Sequence, residues 1–338
     1  GILLSGMDGD YFMEDGVTRL QDFHIFSPMV DMDVNGTVDR DMNLDLVANV
    51  HEINMERFAS KFPYPVSGKG TFAGKIGGNL ASPQFDGTLD APSITLNDQE
   101  IRDVHGTVNY RDGVVNVNPF GFYQGDGIYE AALSIDTNTH DASGTVKVTD
   151  GDVNALTAIA NLKNDIVSGK LSSDIEIGGT YDNPEVTLNG ILDNGKISGY
   201  DVHDVEVNLH LLDKIIYIEK LSGMQGTDGS FSASGSVGID GPIAAKFSAH
   251  NLALGMFTKS AGLERTVHGT ADIEAEFGGT TGNPSANVTI AANNGGFQGS
   301  TFDALNGEFK LMNGLVDVKD FAVKKTINGK DYQATAKG

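Results

Sequence analysis

The stretch Val167–Pro184 reads VSGKLSSDIEIGGTYDNP, and close relatives of it occur twice more in the chain. Val66–Pro83 reads VSGKGTFAGKIGGNLASP, and Val267–Pro284 reads VHGTADIEAEFGGTTGNP. The three final prolines lie 101 and 100 residues apart, and the Gly-Gly pairs keep the same spacing. A long repeat of this kind predicts a stacked architecture in which each repeat packs against its neighbours along the chain.

Alternation of apolar and polar residues dominates every repeat and predicts β-strands. Val205–Leu211 reads VEVNLHL, and Ile216–Ile218 follows it after Asp213-Lys214. A period of two gives a strand one apolar and one polar face. Turn-forming pairs separate such runs elsewhere, at Asp15-Gly16, Asp112-Gly113 and Asn313-Gly314. These pairs favour type I′ turns, so the sequence predicts antiparallel strands joined by tight hairpins.

Each set of strands ends in a stretch that breaks the alternation. Asp152–Leu162 has apolar residues at helical spacing, and the matching stretches are Asn251–Gly262 and Glu52–Phe62. We expect one short helix in each of them. Asp152 and Asn251 are predicted to be N-caps, because their side-chain oxygens can accept a bond from a first-turn N–H.

The repeat divides the chain into four segments that we expect to form one continuous elongated body. Segments 66–166 and 167–266 are complete repeats, whereas 1–65 and 267–338 are partial ones. The chain begins and ends inside a strand pattern, which predicts that it is a piece of a longer protein. Targeting or anchoring segments would then lie outside the sequence considered.

Composition limits the classes of function. The 338 residues carry 46 acidic and 23 basic side chains, a net charge of −23, and such a surface repels nucleic acid. The absence of cysteine excludes disulfides, thiol chemistry and cysteine-ligated zinc. No run approaches the eighteen apolar residues of a membrane span. We therefore expect an acidic protein that does not bind nucleic acid.

The apolar side of the strands has to be covered. The pattern favours an all-β fold with short helical inserts, in which a long antiparallel sheet curls around its own axis and its inner faces line a shared apolar groove. Mid-strand glycines such as Gly106 and Gly235 permit the bends that a curl requires. An exposed apolar groove of this length needs a long apolar ligand, and acyl chains fit that description.

The candidate lipid-binding residues are the inward-facing members of the alternating runs. They are Val108, Tyr110, Val115, Val117, Phe120, Leu133, Ile135, Val186, Leu188, Val207, Leu209, Ile216, Ile218, Leu221, Phe231, Val237, Val288, Ile290, Phe309, Leu311, Val316, Val318 and Phe321.

The repeats resemble those of the TamB and AsmA-like family of bacterial envelope proteins. The resemblance rests on Val167–Lys170, on the phrase Gly-Gly-Thr-x-x-Asn-Pro at Gly178–Pro184 and Gly278–Pro284, and on the cycle of strands and short helix, from about residue 48 onward. It implies a U-shaped β-taco in the periplasm, anchored in the inner membrane by a helix outside this chain. It also implies phospholipid as cargo and an outer-membrane barrel protein as a partner.

Three functions are open at this stage. The first is a hydrophobic groove that carries phospholipid between the inner and outer membranes. The second is a scaffold or chaperone for outer-membrane β-proteins, which would offer the free edge of its sheet to a client strand. The third is an acidic surface adhesin built as a β-solenoid.

Motifs for metal or catalytic chemistry are weak, and we expect neither an enzyme nor a cofactor. Asp31–Gly36 imitates the start of a calcium loop, but Met42 stands where the bidentate Glu should be. His105 and His203 fall near matched places, which indicates a shared turn rather than metal ligands. Gly68–Gly74 is rich in glycine but lacks the spacing of a phosphate-binding loop.

Overall fold

The computed structural model describes residues 5–57, 65–159, 166–180, 182–260 and 267–338. These residues form 21 β-strands, which belong to one antiparallel sheet, and two short α-helices. The prediction of an antiparallel all-β fold with short helical inserts is confirmed. The chain divides into two compact units, Gly1–Lys163 with Glu176–Asp182, and Asn164–Ile175 with Asn183–Gly338.

The first unit contains the first ten strands and the first helix. They are β1 (Gly6–Glu14), β2 (Val17–Phe26), β3 (Val30–Val38), β4 (Leu44–Asn54), β5 (Val66–Asn79), β6 (Ser82–Leu96), β7 (Gln99–Arg111), β8 (Val114–Gln124), β9 (Gly127–Asp136), β10 (Ala142–Asp152) and α1 (Val153–Ile159). Consecutive strands from β1 to β10 pair antiparallel.

Strand β11 (Val167–Thr180) contributes residues to both units. The second unit continues with β12 (Asn183–Ile197), β13 (Tyr200–Leu212), β14 (Ile215–Gln225), β15 (Gly229–Gly238), β16 (Ile243–Ala253), α2 (Leu254–Ser260), β17 (Val267–Thr280), β18 (Asn283–Phe297), β19 (Ser300–Met312), β20 (Leu315–Ile327) and β21 (Lys330–Ala336). Consecutive strands from β12 to β21 also pair antiparallel.

Element lengths recur along the chain. Strands β5, β11 and β17 each have 14 residues, β6, β12 and β18 each have 15, and β7, β13 and β19 each have 13. Both helices have seven residues. The sequence repeat is thus matched by a repeat of secondary structure.

The predicted hairpin turns are present. Asp112 and Gly113 have φ of 51° and 89°, and Asn313 and Gly314 have φ of 54° and 72°. Asp15-Gly16 and Asp213-Lys214 also have positive φ at both positions. These are the values of a type I′ turn, whose twist matches that of the flanking strands.

Each of four matched strands contains a bulge. In β8, Val117 pairs with Leu133 and Phe120 with Ala131, so Asn118 and Pro119 lie opposite a single residue of β9. The pairings of β2, β14 and β20 shift in the corresponding place, at Gln21-Asp22, Glu219-Lys220 and Lys319-Asp320. A bulge of this kind lets residues three apart face the same side of the sheet.

The start of each helix tests its predicted N-cap. The side chain of Asp152 accepts a hydrogen bond from the Ala155 N–H at 3.0 Å, which confirms it as the N-cap of α1. The prediction for Asn251 is wrong, because α2 begins only at Leu254 and Asn251 has a φ of 51° within β16. The Oε1 of Gln225 instead accepts the N–H of Ala253 at 2.7 Å, next to the start of α2.

The first predicted helix is also corrected. Residues 52–54 extend β4, and residues 55–57 form a single 3₁₀ turn. The strand ladder to β5 reaches Asn54, which pairs with Lys69, so tertiary pairing overrides the helical spacing there. The predicted ends at Phe62, Leu162 and Gly262 lie outside the described residues.

Candidate functional site

The predicted groove residues of the first unit share one face of the sheet. Residues directly opposite each other on neighbouring strands point to the same side. Tyr110 pairs with Val115, and Val115 pairs with Ile135. In the next row, Val108 pairs with Val117, and Val117 with Leu133. Phe120 joins this face through the bulge in β8, since it pairs with Gly106.

The predicted residues of the second unit also share one face. One row runs through Val186, Leu211, Ile216 and Val237, and a second runs through Leu188, Leu209 and Ile218. Val207 pairs with Leu221, and Phe231 pairs with Gly223 on the same side. Further along the unit the rows contain Val288–Phe309–Val318, Leu311–Val316, and Ile290–Gly307–Phe321.

This apolar face is only partly covered at the residues that the sequence predicts to line the groove. Of the predicted residues, Phe231 is buried at 7% exposure, Ile135 and Val316 are exposed at 37% and 62%, and the others are intermediate. A packed core residue would be covered almost completely. Within each unit, water therefore reaches part of a broad apolar surface.

The other end of the strands holds the buried part of the face, and the sequence analysis missed it. Ile101, Val104, Val202 and Val205 are each 2–4% exposed, and Ala292 is 1% exposed. Asp103 follows Ile101 by two residues and has a φ of 51°, the mark of an irregular strand. Ile101 and Val104 are three residues apart, so strict alternation does not predict that they share a face. An Asp between two such apolar residues is a signal of the irregularity that brings them to the same face.

The two helices pack beside this buried part. Helix α1 contacts β10 and β7, and the Asn97 Nδ2 donates to the Ala158 carbonyl at 2.5 Å. Helix α2 contacts β16 and β17 and buries Leu254 and Met256. Phe257 meets Phe247 edge to face, with ring centroids 6.0 Å apart. The helices thus cover one end of the apolar face and leave the other end open.

The second unit contains an apolar cavity of about 700 Å³. Its walls include Leu254 of α2, Ile290 of β18, Leu305 and Phe309 of β19, and Phe321 of β20. Three of these residues, Ile290, Phe309 and Phe321, belong to the predicted groove lining. The volume falls within the ~300–1,000 Å³ of small-molecule sites.

Two phenylalanine rings form part of the cavity because glycines make room for them. A Cβ at position 307 would lie 2.5 Å from Cε2 of Phe309, and a Cβ at position 295 would lie 2.2 Å from Cζ of Phe302. The rings therefore lie close to the backbone of the sheet instead of standing up from it. The space above them stays open.

The described rim of the cavity is polar and contains no ionisable lining residue. Gln298, Ser300 and Thr301 surround the tight turn between β18 and β19. Beyond Val323 on β20, Lys325 Nζ lies 3.2 Å from Asp303 Oδ1. The backbone N–H of Thr326 and the Lys325 ammonium together hold the pKa of Asp303 below its ordinary value. The positive charge that follows Val323 on the same side of β20, Lys325, is thus already balanced by a carboxylate.

Tyr129 is the notable buried polar residue of the first unit. It is 4% exposed, and its ring stacks on Phe122 at 4.6 Å between centroids. Its hydroxyl has no hydrogen-bond partner within the described part of the chain. Burial, with the neighbouring Asp152 carboxylate, raises the pKa of Tyr129 to about 12. The hydroxyl therefore remains protonated at any physiological pH.

The polar face carries ion pairs, among them a carboxylate shared by two histidines. Asp33 on β3 lies 2.8 Å from His24 Nδ1 and 2.8 Å from His51 Nε2. The hydrogen bonds from His51 and His24 lower the pKa of Asp33, and the bond to Asp33 raises the pKa of His51. Asp31 and Asp33 lie within β3, as their alternation with Met32 and Val34 predicts.

His105 and His203 differ from the prediction of a shared turn. They lie inside β7 and β13, each beside an aspartate of positive φ, Asp103 and Asp204. His105 contacts the Asp103 carbonyl, whereas His203 contacts Asp204 and the Gly226 carbonyl. Among the described residues, no group of three or more His, Asp or Glu side chains has the arrangement of a metal site.

Neither helix in the described ranges is long and apolar enough to cross a bilayer. Comparison of the chain with protein-family models, with curated proteins and with solved structures finds no match.

Proposed function

We propose that this chain is part of a lipid conduit in a bacterial envelope, with its apolar face holding the acyl chains of phospholipid. In this proposal the sheet curls into a β-taco whose groove crosses the periplasm. The full-length protein is anchored in the inner membrane, and it hands lipid to the outer membrane, where a barrel protein is a further candidate partner.

The half-open apolar face carries the proposal. A row such as Val108–Val117–Leu133 offers apolar side chains that are neither fully covered nor fully solvated. Exposed apolar area costs about 25 cal/mol per Å², so a contiguous surface of this kind is stabilised by a ligand that covers it. An acyl chain suits a surface that repeats along a sheet, because it needs continuous apolar contact and no specific polar partner.

The polar face supports the same assignment. Opposite the apolar rows lie pairs such as Lys246–Glu276 at 3.0 Å and Lys69–Glu52 at 2.8 Å, whose side chains are 45–75% exposed. This face is well solvated, and the net charge of −23 keeps the chain soluble in water. Such a sheet can shield an apolar cargo on one side while the other side faces an aqueous compartment.

Detergent-free purification followed by native mass spectrometry tests the proposal. The unmodified chain is expected to carry phospholipid. Aspartate at the matched positions Val117, Ile218 or Val318 should remove the lipid, because an ionised carboxylate on the apolar face has to be desolvated by a bound acyl chain.

The controls place the same charge on the opposite face. Asn116→Asp and Tyr217→Asp alter residues adjacent to Val117 and Ile218 that point to the polar side. These variants should keep their lipid, with circular dichroism unchanged throughout the set. An unmodified chain without lipid, or equal lipid content in both sets, would contradict the proposal and favour the scaffold function.

A further inference from the structure

We infer that the cavity beside α2 in the second unit is a distinct site for one acyl chain whose head group is uncharged. The chain lies among Leu254, Ile290, Phe309 and Phe321, and the head lies at the turn that follows β18. This inference rests on the proposed function, since it takes the natural occupant of the apolar face to be a lipid.

The volume and walls define the apolar part of the ligand. The cavity of about 700 Å³ is lined mainly by aliphatic and aromatic side chains, and two of its phenylalanine rings lie close to the sheet. Binding sites for small ligands are typically apolar with a few polar groups that fix orientation. A single linear acyl chain can make apolar contacts with such walls along its whole length.

The described part of the lining indicates the kind of head group. Among the described residues, Gln298, Ser300 and Thr301 are the polar members of the lining, and none is ionisable. All three residues are exposed, so their side chains are accessible to a ligand. Hydroxyl and ester groups match them, because both exchange hydrogen bonds with hydroxyls and amides.

An anionic head is disfavoured by the surroundings. Lys325, two residues beyond Val323, is paired with Asp303 at 3.2 Å and is not free to bind a phosphate or carboxylate. The chain as a whole carries a net charge of −23, which repels anions. A cationic head would lose hydration without finding a carboxylate among the described lining residues.

The chain lacks tryptophan, so Phe297→Trp at the rim gives a single indole reporter. The probes share a twelve-carbon chain and differ in charge: monolauroylglycerol, laurate and dodecyltrimethylammonium, each below its micelle concentration. Monolauroylglycerol should bind saturably and shift the indole emission to shorter wavelength. Laurate and dodecyltrimethylammonium should bind at least tenfold more weakly. Equal affinity for laurate would overturn the assignment of an uncharged head.

Matched variants separate the cavity from the rest of the apolar face. Phe309 lines the cavity, and Leu209 occupies the corresponding place in β13 outside it. In the reporter background, Phe309→Gln should weaken monolauroylglycerol binding at least tenfold, and Leu209→Gln should weaken it by a clearly smaller factor. Equal losses in both variants would overturn a distinct site.

A double variant at the rim tests the head-group contacts without altering buried residues. The combined outcomes also distinguish this inference from the proposed function. Ser300→Ala with Thr301→Val alters only exposed rim residues, so the fold should persist while binding falls severalfold; unchanged binding would overturn the role of the rim. A purified chain that carries phospholipid but fails these tests refutes the cavity alone. A chain that binds monolauroylglycerol here but carries no phospholipid refutes the conduit.

Discussion

Ile218 and Leu221 are three residues apart in β14, yet they point to the same face of the sheet. Ile218 pairs with Gly235 of β15, and Leu221 pairs with Ala233, only two residues further along that strand. Glu219 and Lys220 lie together opposite Ser234. The bulge accommodates one extra residue in β14, so the apolar residues on both sides of it stay on the same face of the sheet.

Deletion of Glu219 is therefore expected to be tolerated. The remaining order Ile218–Lys220–Leu221 alternates regularly, so no apolar side chain changes face. Deletion of Tyr217 instead moves Ile218 to the polar face and Glu219 to the apolar face. Exposing a fully buried isoleucine costs about 1.5–3 kcal/mol, which is the upper limit for the half-buried Ile218. Urea unfolding should show a loss of about 1 kcal/mol or less for the first deletion and a clearly larger one for the second. Equal losses would mean that the bulge has no such role.

Substitution of Tyr129 by phenylalanine should stabilise the first unit. The hydroxyl is buried without a partner in the described structure, and an unsatisfied buried group costs about 1–3 kcal/mol, whereas the stacking on Phe122 is kept. Thermal unfolding should show a higher midpoint for Tyr129→Phe.

The matched control for Tyr129 is Phe231, the third residue of β15, as Tyr129 is of β9. Phe231 is 7% exposed, so Phe231→Tyr buries a new hydroxyl and should lower the midpoint. A lower midpoint for Tyr129→Phe would indicate that the hydroxyl has a bonding partner.

Gly235 should not tolerate a side chain. Its φ is 127°, and a Cβ there would lie 2.2 Å from the Ala244 carbonyl oxygen of the neighbouring strand. Gly235→Ala is expected to cost about 2 kcal/mol or more, from backbone strain and the displaced strand. Gly282, in open space with ordinary φ, is the control, and Gly282→Ala should be neutral in urea unfolding. A neutral Gly235→Ala would refute this close approach of β15 and β16.

The shared carboxylate predicts a pH dependence. The lowered pKa of Asp33 gives a stabilising contribution that is present above the unfolded carboxyl pKa of about 3.9 and is lost as pH falls through the lower folded value. The raised pKa of His51 gives a contribution that is complete below about 6.5 and is lost as pH rises through the higher folded value. The pair should stabilise β3 and β4 most between about pH 4 and 6.5.

An NMR titration of the histidine ring protons tests this. Asp33→Asn should return the pKa of His51 toward its ordinary value and reduce the pH dependence of local protection from hydrogen exchange, after correction for the intrinsic exchange rate. His24, Asp31 and Asp8 also face this carboxylate, Asp8 through its pairing with His24. An Asp8→Asn variant should therefore have a smaller effect. An unchanged His51 titration in Asp33→Asn would contradict the contact.

The strands and turns could be predicted from the sequence because their signals are local. The Asp-Gly and Asn-Gly pairs fix hairpins, and alternation fixes which residues share a face. The bulges follow from a weaker signal, the three-residue step from Val117 to Phe120, which recurs in β14 and β20. This step explains why the predicted groove residues fall on one face in each unit.

The burial pattern could not be predicted in the same way. Val104 and Val108 point to the same face of β7, yet Val104 is buried and Val108 is half-exposed. Val104 packs in a cluster with Ala91 and Ile101 that Phe120 and Phe122 cover, which is a tertiary effect. The cavity was missed for a similar reason, since it depends on Phe302 lying against Gly295, seven residues earlier in the chain.

The recurrence of strand lengths has a consequence for how such a chain changes size over evolutionary time. The β6–β7 turn has positive φ at Asn97 and Asp98, and the β12–β13 turn has it at Ser198 and Gly199. A recombination that joined Asn97 to Gly199 would create an Asn-Gly turn and pair a 15-residue strand with a 13-residue strand, as at both parent sites. Copies can thus be lost or gained by unequal crossing-over without inventing a new junction, and selection can adjust copy number separately from the chemistry of the strands.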